Sequence, residues 1–286
     1  MSDGGFTVDT DAGAICGSVS GDGPELLLLH GGPGLSDYTE LLDGETRDWR
    51  TVRYQQRGLA PSSVEGPFDV GRHVADAVAV LEAVVVDKAV LLGHSWGAHL
   101  ALQLALTHPE RVLAVVAVDG LGPTGDGGAL AFGAELRRRL GPDSLERVAE
   151  IDRRPPGQEV TDAEALESLA LLWPAYFADP STAPPLPADL RLSARCSSAT
   201  FQSVLEQLAD ASFARRLETL DVPVMTVIGE LSPMPASVGE QMSALLPRGE
   251  LVVVPGAGHL PWHEQPGCIA DVLATLKSSV VHRPAI

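Results

Sequence analysis

The chain has 286 residues, enough to bury a substantial core in one large domain or two small ones, and its 45% hydrophobic content excludes a disordered chain. Its formal net charge of −18 favours solubility and argues against binding to nucleic acid or to an anionic membrane surface, because phosphates would be repelled. Cys16, Cys196 and Cys268 are too widely spaced for a metal motif or a disulfide framework, which fits a reducing cytoplasm.

Targeting signals are not predicted. The N-terminal sequence MSDGGFTVDTD is acidic and lacks a basic stretch followed by an apolar one. The most apolar region, near 74–92, is interrupted by charged residues, so no transmembrane helix is predicted. We therefore expect a cytoplasmic protein that needs no membrane.

The first 120 residues alternate between strand and helix patterns. Residues 6–20 alternate loosely around Asp-Ala-Gly and predict a β-hairpin. Continuous apolar runs predict strands that are covered on both faces, and apolar residues at helical spacing predict helices. The strands are predicted at 25–30, 51–56, 89–95 and 112–118, and the helices at 69–86 and 96–108. This order predicts a mainly parallel sheet with right-handed crossovers.

The pattern changes after Gly120. Residues 121–218 contain breaks rich in Gly and Pro between helical stretches such as 162–177 and 200–219, and they show no convincing strand. The alternation then resumes with a strand at 222–229, a helix at 236–246, a strand at 250–256 and a final helix near 266–280. We therefore predict an α/β core from residues 1–120 and 219–286 and a helical cap from residues 121–218.

GHSWG at 93–97 fits the pattern G-x-S-x-G, directly between a predicted strand and a predicted helix. The glycines allow a sharp turn that exposes the hydroxyl of Ser95, and the N–H of Trp96 starts the new helix and points toward a developing oxyanion. The alternative is a chance match in which Ser95 only caps the helix.

HGGPG at 30–34 follows the strand predicted at 25–30. Its glycines let backbone N–H groups approach a ligand closely, as a second oxyanion donor requires. We assign that donor to Gly32 and place Gly31 among the substrate contacts. Alone the motif would indicate only a turn, but together with GHSWG it is specific.

With these motifs the chain resembles the α/β-hydrolase superfamily and, within it, the proline iminopeptidase-like branch. The resemblance covers nearly the whole length and includes QQRG at 55–58 and PGAGH at 255–259. It implies the α/β-hydrolase fold and a Ser-His-acid hydrolase with a helical cap and no cofactor or metal. Two positions depart from the iminopeptidase pattern, because Gln55 and Ser232 stand where that branch typically has aspartate.

His259 is the predicted general base, because it follows the last strand in a loop that can fold back toward Ser95. A solvated loop histidine is the alternative. His263 is a weaker candidate that we place at the start of the last helix. The other histidines near the motifs are interpreted as structural: His30, His94 and His99.

The base needs a carboxylate on its other ring nitrogen, and Ser232 cannot supply a charge. Asp119 ends the strand 112–118, one strand nearer the nucleophile, where catalytic groups of open α/β sheets gather. The zearalenone lactonases resemble this arrangement, with the acid at the earlier strand end. Glu230 is the competing acid, and an ordinary Asp-Gly turn at Asp119 or a triad without a working acid are the remaining alternatives.

The substrate pocket is predicted from aromatic residues in a chain with only 5% of them. These residues could instead be ordinary packing: Trp173, Tyr176, Phe177 and Trp262. The run Arg137-Arg138-Arg139 is interpreted as a solvated helix face. The preferred substrate is a hydrophobic ester or lactone; the alternatives are an aminopeptidase releasing N-terminal proline and a binding module that has lost its triad. The expected partner is a small molecule, with a homodimer possible.

Overall fold

The computed structural model describes residues 4–153 and 158–278. Eight strands form one sheet: β1 (Gly4–Thr10), β2 (Gly13–Ser20), β3 (Glu25–Leu29), β4 (Arg50–Tyr54), β5 (Ala89–His94), β6 (Val112–Val118), β7 (Val224–Gly229) and β8 (Gly249–Val254). Their order is β1-β2-β4-β3-β5-β6-β7-β8. Only the pairings β1–β2 and β2–β4 are antiparallel, so the predicted mainly parallel sheet is confirmed.

Helices flank the sheet and fill the connection between β6 and β7. They are α1 (Val70–Ala83), α2 (Trp96–Thr107), α3 (Ala129–Arg138), α4 (Pro142–Asp152), α5 (Asp162–Leu172), α6 (Ala194–Ala209), α7 (Ser212–Leu217), α8 (Ala236–Leu245), α9 (Pro261–Glu264) and α10 (Cys268–Leu276). Residues 121–218, which include α3 to α7, are called the inserted segment below. Within the two described ranges, none of the helices has the length and apolar character that a membrane crossing requires.

The two faces of the sheet bury alternate residues of the same strands. In β3, Leu27 and Leu29 join the core under α1 and α2, whereas Leu26 and Leu28 join the core under α10. Each of these leucines is at most 1% exposed. Burial on both faces explains why the central strands are continuous apolar runs and not alternating ones.

Several helices end earlier than the sequence predicts, each for a local reason. α1 stops before Val85, whose φ of 57° lies in the left-handed region. The stretch predicted at 162–177 leaves the α-helix at Leu172, because Pro174 lies in a short 3₁₀ turn, Trp173–Tyr176. The stretch 200–219 is two helices, α6 and α7, separated at Ala211, where φ is 57°.

The C-terminal elements also differ in their limits. The final helix begins at Cys268, after Gly267 with a φ of 93°, and its predicted last residues lie outside the described ranges. His263 belongs to the preceding short helix α9 and does not start the last helix.

The carboxyl ends of β3, β5, β6, β7 and β8 meet at one edge of the sheet, because these strands are parallel. GHSWG after β5, HGGPG after β3 and the loop with His259 after β8, called the histidine loop, therefore lie at that edge. The inserted segment leaves the sheet from the same edge, after β6.

Candidate active site

Ser95 stands in a strained turn between β5 and α2. Its φ of 55° and ψ of −118° lie outside the regions that side-chain-bearing residues normally occupy. The two motif glycines allow the strand and helix to approach this closely: a Cβ on Gly93 would overlap the backbone of Gly97, and a Cβ on Gly97 would overlap the backbone of Leu29. The G-x-S-x-G pattern thus has the mechanical role that the sequence indicated.

The HGGPG loop packs directly against the serine. A Cβ on Gly31 would stand 3.0 Å from the Ser95 Cβ, and Gly32 has a φ of 55°. The N–H of Gly31 is used by a hydrogen bond to Tyr38 Oη at 2.8 Å. The N–H of Gly32 has no acceptor in the described part of the chain, and the N–H of Trp96 is the first of α2 and so has no intrahelical partner. These two N–H groups are the free donors beside Ser95.

QQRG, where the chain departs from the iminopeptidase pattern, fixes this loop from below. Gln55 accepts a hydrogen bond from Asp37 N at 3.0 Å and donates to Leu35 O at 3.1 Å. Gln56 accepts from the Trp96 indole Nε1 at 2.8 Å. An uncharged Gln55 therefore holds the loop through backbone groups.

His259 is held by its backbone on both sides. Its N–H donates to Tyr176 O at 2.7 Å, and its carbonyl oxygen accepts from His94 Nε2 at 2.8 Å. The ring stacks on Tyr176 with centroids 5.3 Å apart and contacts Phe132 with centroids 4.9 Å apart. It is 4% exposed, so the loop predicted to fold back over the sheet does place this histidine inside the protein.

Asp119 follows β6 and faces the same ring. Its Oδ2 lies 3.4 Å from His259 Nδ1, and its side chain is 0% exposed. Its φ is 48°, in the left-handed region that aspartate tolerates better than most residues. Neither carboxylate oxygen has a well-aligned hydrogen bond within the described ranges, although His259 and Ser232 lie close by. Burial raises the pKa of the Asp119 carboxyl, and the His259 ring and the Ser232 hydroxyl oppose that rise.

Glu230, the competing acid, turns to the exposed side of the β7 end. Its Oε2 accepts a hydrogen bond from Gly256 N at 2.9 Å, in the loop that leads to His259. In the described chain, the carboxylate within ion-pair distance of His259 is that of Asp119 and not that of Glu230.

Ser95 and His259 line one apolar pocket between the sheet edge and the inserted segment. Two aromatic residues of the sequence prediction, Trp173 and Tyr176, line it as well. The remaining lining includes Leu35, Tyr38, His94, Phe132, Leu169 and Leu190. Tyr38, His94 and Phe132 were not among the predicted site residues. Two of them carry a signal in the sequence, because Tyr38 closely follows HGGPG and His94 lies inside GHSWG.

Three predicted substrate contacts lie outside this lining. Phe177 is 1% exposed and Trp262 is 4% exposed, and both pack in the core on the α10 side of the sheet. Trp262 supports the site indirectly, because its ring meets the edge of the His94 ring with centroids 4.8 Å apart. Gly31 is turned to Tyr38, as described above. These residues shape the walls behind the pocket and do not face its interior.

Arg139, which the sequence predicts on a solvated helix face, joins the inserted segment to the sheet edge. Its guanidinium donates to the carbonyl oxygens of Ala175, Phe177 and Leu231 at 3.2, 3.1 and 3.0 Å. Its neighbours Arg137 and Arg138 are solvated, with side chains that are 46% and 71% exposed. Within residues 4–153 and 158–278, no three His, Cys, Asp or Glu side chains are placed to hold a metal ion.

The sequence profile of the Alpha/beta hydrolase family matches residues 26–271. The chain belongs to this family. It is 25% identical over 283 aligned residues to a Bacillus subtilis (strain 168) protein provisionally named 2-succinyl-6-hydroxy-2,4-cyclohexadiene-1-carboxylate synthase, covering 92% of this chain and 95% of that protein. It is 24% identical over 275 residues to a proline iminopeptidase of Heyndrickxia coagulans, covering 91% and 93%. The iminopeptidases are thus distant homologues over most of the chain.

Solved structures confirm the α/β-hydrolase fold. The 2-hydroxy-6-oxo-6-phenylhexa-2,4-dienoate hydrolase of Rhodococcus sp. strain RHA1 superposes with a TM-score of 0.70 at 19% identity, covering 97% of this chain and 100% of that one. Est816, described as an N-acyl homoserine lactone degrading enzyme, gives a TM-score of 0.64 at 20% identity, covering 94% and 99%. At these identities the likeness concerns the fold and not the substrate.

Proposed function

We propose that this protein is a serine hydrolase that cleaves an ester or lactone of a hydrophobic small molecule through an acyl-enzyme. The observation that carries the proposal is the juxtaposition of the strained Ser95, the buried His259–Asp119 pair and the two free N–H groups around one apolar pocket. Ser95 and Asp119 have strained backbone angles that ordinary turns do not require, and a catalytic role would explain the strain.

The chemistry assigns one role to each group. Ser95 Oγ attacks the carbonyl carbon while His259 takes its proton, and the new oxyanion is held by the N–H groups of Gly32 and Trp96. Asp119 fixes the His259 tautomer and offsets the imidazolium charge. The imidazolium then protonates the departing alkoxide, which leaves Ser95 acylated. Water, deprotonated by His259, attacks the acyl group, and Ser95 regains its proton as the carboxylic acid leaves.

The pocket favours a neutral, apolar acyl or ring system. Of the described lining residues none is Asp or Glu, so the pocket offers no carboxylate to the ammonium group of an N-terminal proline. This composition supports an ester or lactone over the aminopeptidase alternative, although the iminopeptidases are homologues. Turnover of 4-nitrophenyl butyrate compared with proline 4-nitroanilide separates the two, and a higher kcat/KM for the anilide would contradict our preference.

A fluorophosphonate probe and Ser95→Ala test the proposal. We expect the probe to label the folded wild-type protein at Ser95 and the variant to lose both labelling and 4-nitrophenyl butyrate hydrolysis, because the nucleophile is absent. A folded wild-type protein that is not labelled would favour the third reading, a hydrolase fold kept as a binding module. A Ser95→Ala variant with full esterase activity would rule out the mechanism.

A further inference from the structure

A continuous line of hydrogen bonds joins the oxyanion loop to the histidine loop beneath the pocket. Gly31 N lies 2.8 Å from Tyr38 Oη, Tyr38 Oη lies 2.6 Å from His94 Nδ1, and His94 Nε2 lies 2.8 Å from the carbonyl oxygen of His259. The residue before the nucleophile is therefore the centre of the line, and its side chain is 3% exposed.

The two ends of the line fix every proton along it. The His259 carbonyl can only accept, so His94 must carry its ring proton on Nε2. Burial lowers the pKa of the His94 ring well below its usual value, with the nearby His259 ring adding to the effect, so His94 is neutral and its Nδ1 accepts. Tyr38 consequently donates its only proton to His94 and accepts from Gly31 N–H.

We propose that Tyr38 and His94 are positioning residues. They fix the oxyanion loop, residues 30–34, relative to the loop that contains His259. Tyr38 turns the Gly31–Gly32 segment so that the N–H of Gly32 stays free beside Ser95, and His94 holds the backbone of His259. The inference rests on the proposed hydrolase function. It excludes Tyr38 as an acid or oxyanion donor, although its ring lines the pocket, because its hydroxyl proton is already committed.

This positioning affects the rate of the chemical step and not the affinity for substrate. The oxyanion forms only in the transition state, so a misdirected Gly32 N–H lowers kcat while the apolar pocket still binds substrate. Misplacement of a catalytic group by about 1 Å can cost about 100-fold in rate.

Tyr38→Phe is the first test, because it removes the hydroxyl that joins Gly31 to His94 and keeps the ring in the pocket wall. We expect kcat for 4-nitrophenyl butyrate to fall about 10- to 100-fold with KM within about threefold. Binding of a trifluoromethyl ketone, whose adduct places an oxyanion in the hole, should weaken by a similar factor. Unchanged kcat and inhibitor affinity, or a change in KM alone, would overturn the proposal.

Tyr54→Phe is the matched control. Tyr54 is equally a buried tyrosine, 2% exposed, but its hydroxyl has no hydrogen-bond partner in the described structure and lies in the core. We expect its kcat, KM and inhibitor affinity to equal those of the wild type. Fluorophosphonate labelling of wild type and Tyr54→Phe shows whether the proposed function itself holds. If both are labelled and Tyr38→Phe reacts equally fast, only the present inference fails.

His94 variants divide the line into its two halves. His94→Asn keeps an acceptor near the Nδ1 position for Tyr38 and loses the donor to His259, whereas His94→Gln keeps a donor near the Nε2 position and loses the acceptor for Tyr38. Both should lower kcat. Tyr38→Phe/His94→Gln should be no slower than the slower single variant, because both changes break the same bond. A folded His94 variant with wild-type kcat would contradict the positioning role of His94.

The wild-type protein provides a test that needs no variant to fold. In ¹⁵N-histidine NMR spectra between pH 6 and 8, His94 should show a single neutral tautomer protonated on Nε2. A charged ring or an Nδ1-protonated tautomer in that range would break the line at Tyr38 and overturn the proposal.

Discussion

The turns after β6 and β7 lie side by side at the carboxyl edge of the sheet, yet their polar side chains make different contacts. The β6 turn has Asp119, fully buried, with its carboxylate 3.4 Å from the His259 ring. The β7 turn has Glu230 on its exposed side and Ser232, whose Oγ accepts a hydrogen bond from Met234 N at 3.0 Å. The two strands are parallel neighbours, and Asp119 N donates to Val227 O at 2.8 Å. Because β7 continues to Gly229, its turn starts slightly beyond the level of the β6 turn.

The β7 turn holds its neighbours in place. Leu231 O accepts a hydrogen bond from Arg139 of the inserted segment, and Glu230 accepts one from Gly256 N. Burial raises the pKa of Asp119, and the Ser232 hydroxyl opposes that rise. A carboxylate can therefore reach the histidine from whichever strand end faces it. The sheet edge defines the place of the acid more closely than the position along the chain does.

Asp119→Asn should have the largest effect of all changes in the two turns. The amide cannot offset the imidazolium charge and favours the wrong His259 tautomer, so we expect kcat to fall about 1,000- to 10,000-fold. Steady-state kinetics with 4-nitrophenyl butyrate measures the loss, and circular dichroism checks that the variant folds.

The double variant Asp119→Asn/Ser232→Asp moves the acid to the β7 turn. Because Ser232 is a close neighbour of Asp119, a carboxylate there should restore part of the lost rate. Full activity in Asp119→Asn alone would show that Asp119 is not the acid.

The sheet edge could be predicted from local signals in the sequence, whereas the side chains that meet there required reasoning across strands or gave no specific signal. Continuous apolar runs and the glycines of two motifs are local signals, and they gave the strands, the turn at Ser95 and the loop at Gly32. Asp119 required reasoning about neighbouring strands, because its contact with His259 spans 140 residues of chain. Phe177 and Trp262 were predicted as pocket residues because they are aromatic, but aromatic character does not distinguish a residue of the pocket lining from one of the core behind it.

Arg139→Ala should loosen the β7 turn from the inserted segment with the next largest effect. It removes the donor to Ala175 and Phe177, which flank the pocket residue Tyr176 in the chain, and to Leu231 in the β7 turn. We expect kcat/KM to fall about tenfold, because Tyr176 and the backbone of His259 lose their support.

Arg138→Ala is the matched control for that change. Arg138 also pairs with Glu135 but is mostly exposed, so its removal should leave kcat/KM within about twofold of the wild type. Equal effects of the two variants would show that the carbonyl contacts of Arg139 do not matter to the site.

Ser232→Ala should produce a smaller effect that depends on pH. Burial raises the pKa of Asp119 and the Ser232 hydroxyl opposes that rise, so removing the hydroxyl should raise the pKa further and move the acidic limb of the kcat/KM profile to higher pH. A well-aligned hydrogen bond contributes about 1 kcal/mol, or about fivefold in rate, and this contact is not well aligned, so we expect a loss of less than about fivefold near pH 7. A profile measured from pH 5 to 9 tests the sign, and a limb that moved to lower pH would contradict it.

Glu230→Gln should have the smallest effect of all. The side-chain amide oxygen can still accept the hydrogen bond of Gly256 N–H, so the loop before His259 keeps its support. The charge that is lost lies on the exposed side of the turn, where water screens it. We expect kcat/KM within about twofold of the wild type and an unshifted pH profile. A loss as large as that of Asp119→Asn would move the acid back to the β7 turn, since only a carboxylate that serves the histidine depends on charge in this way.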